Sequence, residues 1–161
     1  MYEFTRTNDG LIQFSGPISL ADLWQAAECL FAEKMHGESF RDPQQAKDYV
    51  TARIGLSERE EFLVIFLSTR HRVIASEVMF QGTLDGASVH PREVVRRALA
   101  LNAACVVIAH NHPSAVCEPS AADISITSRI RDALALVDIR LLDHFIVSGT
   151  SALSLAARGH I

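Results

Sequence analysis

The sequence of 161 residues lacks several features that would assign it to a special class of protein. It has no apolar run of about eighteen residues, which a membrane-spanning helix would require. Its first residues, MYEFTRTNDG, lack the basic-then-apolar order of a secretory signal. The three cysteines, Cys29, Cys105 and Cys117, form no CxxC pair, which argues against a structural zinc module of the finger type. We therefore expect a cytoplasmic globular protein.

An excess of basic residues is also lacking. Lysine and arginine total 15 against 19 acidic residues, so the formal net charge is −4. Affinity for nucleic acid depends on clustered Lys and Arg, and this charge balance weighs against a DNA-binding surface. The local basic pairs Arg96-Arg97 and Arg129/Arg131 fall inside predicted helices, where a solvated helix face is the favoured interpretation.

The chain length fits one main domain with a hydrophobic core. We predict that residues 1–41 form an N-terminal helical extension and that residues 42–161 form this domain. In the extension, Asn8-Asp9-Gly10 separates two short strand-like stretches and indicates a hairpin turn. Ser19 is placed to cap a helix whose apolar face includes Trp24.

The main domain alternates between helix-like and strand-like patterns. EFLVIFLST and RVIASEVMF predict two strands joined by a turn, and CVVIA at 105–109 predicts a third buried strand. Helices are predicted to begin near Asp42-Pro43, at His90-Pro91 and at Ser120, and residues 139–148 read as one or two further strands. This order predicts a mixed sheet flanked by helices, in the α/β class with α+β-like character.

The stretch HNHPSAVCEPSAAD, residues 110–123, follows the third strand and carries the strongest chemical signal. Side chains alternate along a strand, so His110 and His112 can point in the same direction. Asp123 lies in the first turn of the helix that Ser120 is predicted to cap, and it could supply a third ligand for Zn²⁺. The alternative is a polar loop that holds two hydrogen-bonded histidines. HxHP followed by PSxxD, between a buried strand and a helix, favours the metal site.

A metal-activated water needs a base to take its proton, and the second strand offers a candidate. Counting by twos places Val73, Ala75, Glu77 and Met79 on one face, and a carboxylate is unusual on an apolar face. Glu77 on an edge strand that reaches solvent is an equally good interpretation of the pattern alone. Two other carboxylates compete for the role of base: Glu93 and Glu118.

Four residues near the motif have roles that the pattern leaves open. The Ser120 hydroxyl could stabilise an oxyanion, although helix capping is the better interpretation of its position. Asp143 and His144 are expected on opposite faces of a strand, with Asp143 as a hydrogen-bond partner for a ligand histidine and His144 as a core or sheet-edge residue. Cys117 is interpreted as an exposed residue without a role in the site.

Together, EVMFQGTL, VHPREVVRRAL, AHNHPS, PSAAD and LLDHFIV resemble the RadC-like proteins of the JAB/MPN/JAMM metalloprotease-like superfamily. The resemblance covers about residues 42–161. It implies an MPN/JAB-type (cytidine-deaminase-like) fold with a curved mixed sheet between helices. It also implies one Zn²⁺ per chain held by His110, His112 and Asp123, with Glu77 as the general base and Ser120 supporting the oxyanion.

The sequence departs from the family pattern in two places. Ala115 stands where RadC-like proteins usually have glycine, and a positive φ there would cost alanine about 1 kcal/mol and alter the loop. Longer members of the family carry an N-terminal helix-hairpin-helix region associated with DNA, and residues 1–41 are too short to contain all of it.

The resemblance supports three hypotheses about function. The leading one is a zinc-dependent hydrolase, a metallopeptidase or isopeptidase that acts on a peptide or protein substrate. The second is a non-catalytic MPN-type interaction module that keeps the fold. The third is a DNA-repair-associated protein, as the family name suggests, which the acidic charge balance disfavours.

Overall fold

The computed structural model describes residues 4–7, 11–23, 26–27, 30, 37–82, 89–113 and 116–161. The chain divides into two compact units, Met1–Lys34 and Met35–Ile161. Among the described residues, no helix is both long enough and apolar enough to span a membrane.

In the smaller unit, strand β1 (Phe4–Arg6) pairs antiparallel with strand β2 (Ile12–Phe14). This is the pairing that the predicted hairpin requires, although Asn8-Asp9-Gly10 itself lies outside the described residues. Residues 20–23 are helical, and the Asp22 amide donates a hydrogen bond to Ser19 Oγ at 3.1 Å, so Ser19 caps the helix as predicted. Three residues considered above also lie outside the described residues: Trp24, Cys29 and Ala115.

The larger unit is built on a five-stranded mixed sheet. Its strands are β3 (Glu61–Leu67), β4 (Val73–Gln81), β5 (Cys105–Asn111), β6 (Arg140–Ser148) and β7 (Ser151–Ser154). They lie in the order β4-β3-β5-β6-β7, and only β5 and β6 are parallel. The predicted mixed sheet is confirmed, and residues 140–148 form one strand.

Among the described residues of this unit, three helices accompany the sheet: α1 (Pro43–Ile54), α2 (Pro91–Ala100) and α3 (Ala121–Ala135). Helix α1 buries Tyr49, Val50 and Ile54 against one sheet face, called here the α1 face. Helices α2 and α3 cover the other, called the α2/α3 face, where buried side chains include Ile130 and Leu134. The predicted arrangement of a sheet between helices is therefore confirmed.

The interior strand β3, which lies between β4 and β5, is buried on both faces. Leu63, Ile65 and Leu67 belong to the core on the α1 face, while Phe62 and Val64 belong to the core on the α2/α3 face. A strand covered on both sides has no polar face, which explains the continuous apolar run EFLVIFL.

Strand β4 does not keep the strict alternation that the sequence suggested. Its pairing with β3 shifts register twice, and these irregularities place Val73 opposite Leu67 and Glu77 opposite Val64. Leu67 and Val73 belong to the core on the α1 face, whereas Val64 belongs to the core on the other face. The prediction that Val73 and Glu77 share one face is therefore wrong. Glu77 lies on the α2/α3 face.

Candidate metal centre

The two motif histidines lie at the end of β5. His110 pairs with Phe62 of β3 and is almost fully buried. His112 follows the last strand residue, and its amide donates to the Val147 carbonyl at 2.7 Å, which extends the pairing with β6. The extended backbone keeps the alternation of side chains through His112, so both imidazoles point toward the same place, as the HxH spacing predicts.

Asp123 reaches the same place from the first turn of α3. Ser120 is the N-cap of this helix, and the two residues form a capping box. The Asp123 amide donates to Ser120 Oγ at 3.1 Å, and the Ser120 amide and hydroxyl both donate to Asp123 Oδ2 at 2.7 Å. These hydrogen bonds orient the carboxylate and leave its other oxygen, Oδ1, directed at the histidines.

His110, His112 and Asp123 form a compact group of metal-ligating atoms. His110 Nε2 lies 2.9 Å from His112 Nε2 and 3.1 Å from Asp123 Oδ1, and His112 Nε2 lies 3.5 Å from Asp123 Oδ2. One ligand atom from each residue lies within 4.8 Å of the other two. Within the described part of the chain, this is the one group of three or more His, Cys, Asp or Glu residues with such geometry.

The hydrogen bonds around this group fit a cation. His112 Nδ1 lies 2.9 Å from the Val116 carbonyl, which can only accept, so Nδ1 carries a proton and Nε2 is the nitrogen that remains for a metal ion. Asp123 Oδ1 is buried and has no hydrogen-bond partner among the described residues. A buried acceptor without a donor is costly, and a metal ion held by these atoms would satisfy it.

The Asp123 carboxyl is held in its charged form. Its burial favours the neutral acid, but the contact with His110 and the hydrogen bonds from Ser120 outweigh burial and hold the pKa of Asp123 well below its usual range. An ionised carboxylate beside two imidazoles is the donor set expected for a divalent cation of zinc type.

Glu77 lies outside this group and has a partner of its own. It is on the same sheet face as His110, and Arg97 of α2 binds both of its carboxylate oxygens. Both side chains are about one third exposed. Arg97 is thus paired rather than simply solvated, which corrects the interpretation of the Arg96-Arg97 pair. The pairing raises the pKa of Arg97 through its hydrogen bond to Glu77.

The two competing carboxylates are engaged elsewhere. Glu93 pairs with Arg96 at 2.9 Å on α2, and Glu118 pairs with Arg158 at 2.6 Å. Neither belongs to the group of ligand atoms around Asp123. The geometry therefore leaves Glu77 as the better candidate of the three, because it shares a sheet face with His110.

His144 is buried in the core as predicted, but the prediction that Asp143 contacts a ligand histidine is wrong. His144 Nε2 lies 2.8 Å from His110 Nδ1, so His144 is the residue that contacts a metal-ligand histidine. The Asp143 side chain instead accepts from the His144 and Ala156 amides and from the Ser154 hydroxyl, at 2.6–3.0 Å. Asp143 lines a cavity of about 440 Å³ on the α1 face, away from the site. Alternation correctly predicts opposite faces for this pair but not which face holds the metal ligands.

Cys117 lies within the motif but does not belong to the ligand group. Its sulfur is 3.7 Å from the Ser151 carbonyl, and the residue is partly exposed. The interpretation of Cys117 as a residue outside the site agrees with this placement.

The family of this chain is shown by comparison with known proteins. The RadC-like JAB domain matches residues 40–160. A UPF0758 protein of Nitrosococcus oceani is 51% identical over 149 residues, which cover 88% of this chain and 66% of that protein. A UPF0758 protein of Azotobacter vinelandii is 49% identical over 148 residues, covering 89% of this chain and 66% of the relative. A UPF0758 protein of Thioalkalivibrio sulfidiphilus is 58% identical over 123 residues, which cover 76% of this chain and 55% of that protein.

The mixed sheet between helices and the His-His-Asp group define a JAB/MPN-type domain with a candidate metal site. More narrowly, the chain belongs to the RadC-like JAB domain family. It spans about two thirds or less of the length of these curated relatives, whose names state no activity.

Proposed function

We propose that this protein is a zinc-dependent hydrolase that cleaves amide bonds, as a peptidase or isopeptidase. The observation that carries the proposal is the position of His110 Nε2, which lies 2.9 Å from His112 Nε2 and 3.1 Å from Asp123 Oδ1, a buried oxygen without a hydrogen-bond partner among the described residues. Three protein ligands of this kind leave a fourth zinc position for water or substrate, which distinguishes catalytic zinc sites from structural ones. One ion per chain follows from the single ligand group found among the described residues.

The metal would be held by His110, His112 and Asp123. When bound, Zn²⁺ supplies Lewis acidity and lowers the pKa of a water toward ~7. The sheet buries His110 and Asp123 almost completely, and this burial keeps competing water away from two of the three ligands.

Glu77 is the proposed general base. In the sheet register, Val64 pairs with Glu77 on one side and with Ile108 on the other, and His110 is two residues farther along β5 than Ile108. Strand spacing and rise then separate the Cα atoms of Glu77 and His110 by about 12 Å on one sheet face. This separation leaves room for a water and a scissile amide between the two side chains. Glu77 takes the proton of the attacking water and returns it to the leaving amine.

The Arg97 pairing is compatible with this role. A carboxylate has about four lone-pair positions, and the Arg97 guanidinium uses only some of them. Arg97 thereby orients Glu77 while leaving it able to accept a further proton.

Ser120 has two roles in the proposal. Its hydroxyl donates to Asp123 Oδ2 and so orients a metal ligand. During the reaction, the same hydroxyl would turn from Asp123 to donate to the oxygen that gains charge on the substrate carbonyl. The capping hydrogen bond to the Asp123 amide does not use the hydroxyl proton, so capping is compatible with either role.

Metal content tests the proposal most simply. Wild-type protein loaded with zinc and freed of excess by gel filtration should hold about one zinc per chain. His110→Ala combined with His112→Ala should hold almost none, and the exposed His160→Ala serves as the matched control that keeps its zinc. Equal zinc in the double variant and the control would refute the site.

One observation favours a second candidate, a non-catalytic interaction module of the same fold. Both oxygens of Glu77 are bound by Arg97, as in a structural ion pair. If the module is correct, a panel of fluorogenic peptide and isopeptide substrates will show no zinc-dependent turnover by wild-type protein. Zinc-dependent turnover that Glu77→Gln abolishes would exclude this candidate.

A further inference from the structure

We propose that His144 is a positioning residue that sets the tautomer of His110. The two residues belong to a chain of hydrogen bonds that runs from the Asp123 carbonyl through Thr127 and His144 to His110, called here the relay, and Thr127 fixes its direction. His144 keeps a proton on His110 Nδ1 and thereby leaves the lone pair of His110 Nε2 free for the metal. This inference rests on the proposed metal site and adds two residues, Thr127 and His144, that are not metal ligands.

The relay begins at a group whose hydrogen-bonding role is fixed. The Asp123 backbone carbonyl can only accept, and Thr127 Oγ1 lies 2.5 Å from it, one helical turn farther along α3. The single hydroxyl proton of Thr127 is therefore used on this carbonyl. Thr127 Oγ1 can then only accept from its second neighbour, His144 Nδ1, which is also 2.5 Å away.

The proton position on His144 follows from this contact. Because Thr127 accepts, His144 Nδ1 carries the proton. His144 is fully buried, and its two ring nitrogens contact a hydroxyl and an imidazole, neither of which carries the negative charge that a buried imidazolium would require, so the ring is neutral. A neutral imidazole with a proton on Nδ1 has a lone pair on Nε2. His144 Nε2 must therefore accept from its neighbour, His110 Nδ1, at 2.8 Å.

The last step sets the metal ligand. His110 Nδ1 donates to His144, so Nε2 is the nitrogen of His110 that carries no proton once the ring binds a metal ion. That nitrogen is the atom 2.9 Å from His112 Nε2 and 3.1 Å from Asp123 Oδ1. Metal-ligating histidines are oriented in this way by a partner on the other ring nitrogen. Here the partner is a second, neutral histidine instead of a carboxylate or a carbonyl.

The surroundings hold both rings in place. Phe62 lies parallel to the His110 ring at 6.1 Å between centroids and edge-on to the His144 ring at 5.7 Å. Thr127 and His144 are almost completely buried. Asp123 contributes to both ends of the relay, since its carboxylate faces the metal position and its backbone carbonyl fixes Thr127.

A tautomer measurement on metal-free protein tests the relay without requiring zinc or activity. A long-range ¹H–¹⁵N correlation spectrum distinguishes a proton on Nδ1 from one on Nε2, and the His110 signals are assigned by their loss in His110→Gln. Wild type and Thr127→Ser, which keeps the hydroxyl, should show His110 protonated on Nδ1. Thr127→Val keeps the side-chain shape but cannot accept, so His110 should shift toward protonation on Nε2. A His110 ring without a proton on Nδ1 in wild type, or an unchanged spectrum in Thr127→Val, would overturn the proposal.

Zinc affinity gives the second readout, measured by competition with a chromogenic chelator. We expect Thr127→Ser to match wild type, and His144→Phe to bind zinc about 10- to 100-fold more weakly, the usual effect of losing a ligand's partner. Thr127→Val, which retains His144, should show a smaller loss in the same direction. If Thr127→Val binds zinc as tightly as Thr127→Ser, the relay is refuted while the metal site stands. If wild type itself binds no zinc, the proposed function fails, and the tautomer spectrum still decides the relay.

Discussion

Arg97 on α2 and Glu77 on β4 form a bidentate ion pair on the α2/α3 face. Arg97 Nε lies 3.1 Å from Glu77 Oε1 and 2.9 Å from Oε2, and Nη2 lies 2.5 Å from Oε1. A bidentate interaction fixes the plane of a carboxylate more firmly than a single charged donor does. The proposed base is thus held by a neighbouring helix, and this arrangement can be tested separately from the metal.

Replacing Arg97 tests the orienting role. Arg97→Met should leave zinc content unchanged and reduce turnover between about 10- and 100-fold, because a misplaced base loses part of its effectiveness. Arg96→Met is the matched control, since Arg96 is on the same helix and pairs with Glu93. Turnover equal in the two variants would show that the Arg97 pairing has no part in the reaction.

Replacing Glu77 tests the base itself. Glu77→Gln keeps the size of the side chain and should lower turnover by at least about 100-fold while zinc binding stays intact, because the amide cannot take up the proton. Glu93→Gln, a change to an ion-paired glutamate on α2, should leave turnover unaffected. Measured zinc content and turnover of a peptide substrate check both statements. Undiminished turnover in Glu77→Gln would remove Glu77 from the mechanism.

Ser120 offers a prediction about stability. Ser120→Ala deletes the cap of α3 and one of the hydrogen bonds to Asp123 Oδ2, so the free energy of unfolding should fall by about 1 kcal/mol. Ser120→Thr keeps the hydroxyl and should retain most of the stability. Urea unfolding of the metal-free proteins measures the difference. A Ser120→Ala variant as stable as wild type would contradict the capping box.

His144 makes the stability of the metal-free protein depend on pH. Burial and the neighbouring His110 lower its pKa in the folded state, while in the unfolded chain it takes up a proton near pH 6.5. The unfolded state then binds more protons, so this contribution to stability is lost as pH falls below about 6.5, by at most about 1.4 kcal/mol per pH unit. Urea unfolding at pH 7.5, 6.5 and 5.5 should show a steeper decline for wild type than for His144→Gln. Parallel declines would mean that His144 is not held neutral.

Sequence patterns predicted the parts of this structure that depend on local rules. The HxH spacing at a strand end predicted the orientation of His110, and the capping position of Ser120 predicted that of Asp123. Both succeed because strand alternation and helix caps act over a few residues. The continuous apolar run of β3 likewise revealed a strand covered on both faces.

These local rules did not predict strand register or contacts between residues that are distant in the sequence. The register irregularities of β4 arise in its pairing with β3, so counting by twos misassigned Val73. The contact of His144 with His110 depends on β5 and β6 being parallel neighbours, which no local pattern specifies. The buried histidine in the apolar run LLDHFIV was the available signal, since a buried polar side chain requires a partner.

The most direct test of the metal centre is the X-ray absorption spectrum of the zinc-loaded protein at the zinc edge. The predicted result is a four-coordinate ion with two imidazole nitrogens at about 2.0–2.1 Å, oxygen ligands for the rest and no sulfur. The imidazole signal should disappear in the His110→Ala, His112→Ala double variant. A zinc–sulfur shell at about 2.3 Å, or an unchanged spectrum in the double variant, would contradict a site built from His110, His112 and Asp123.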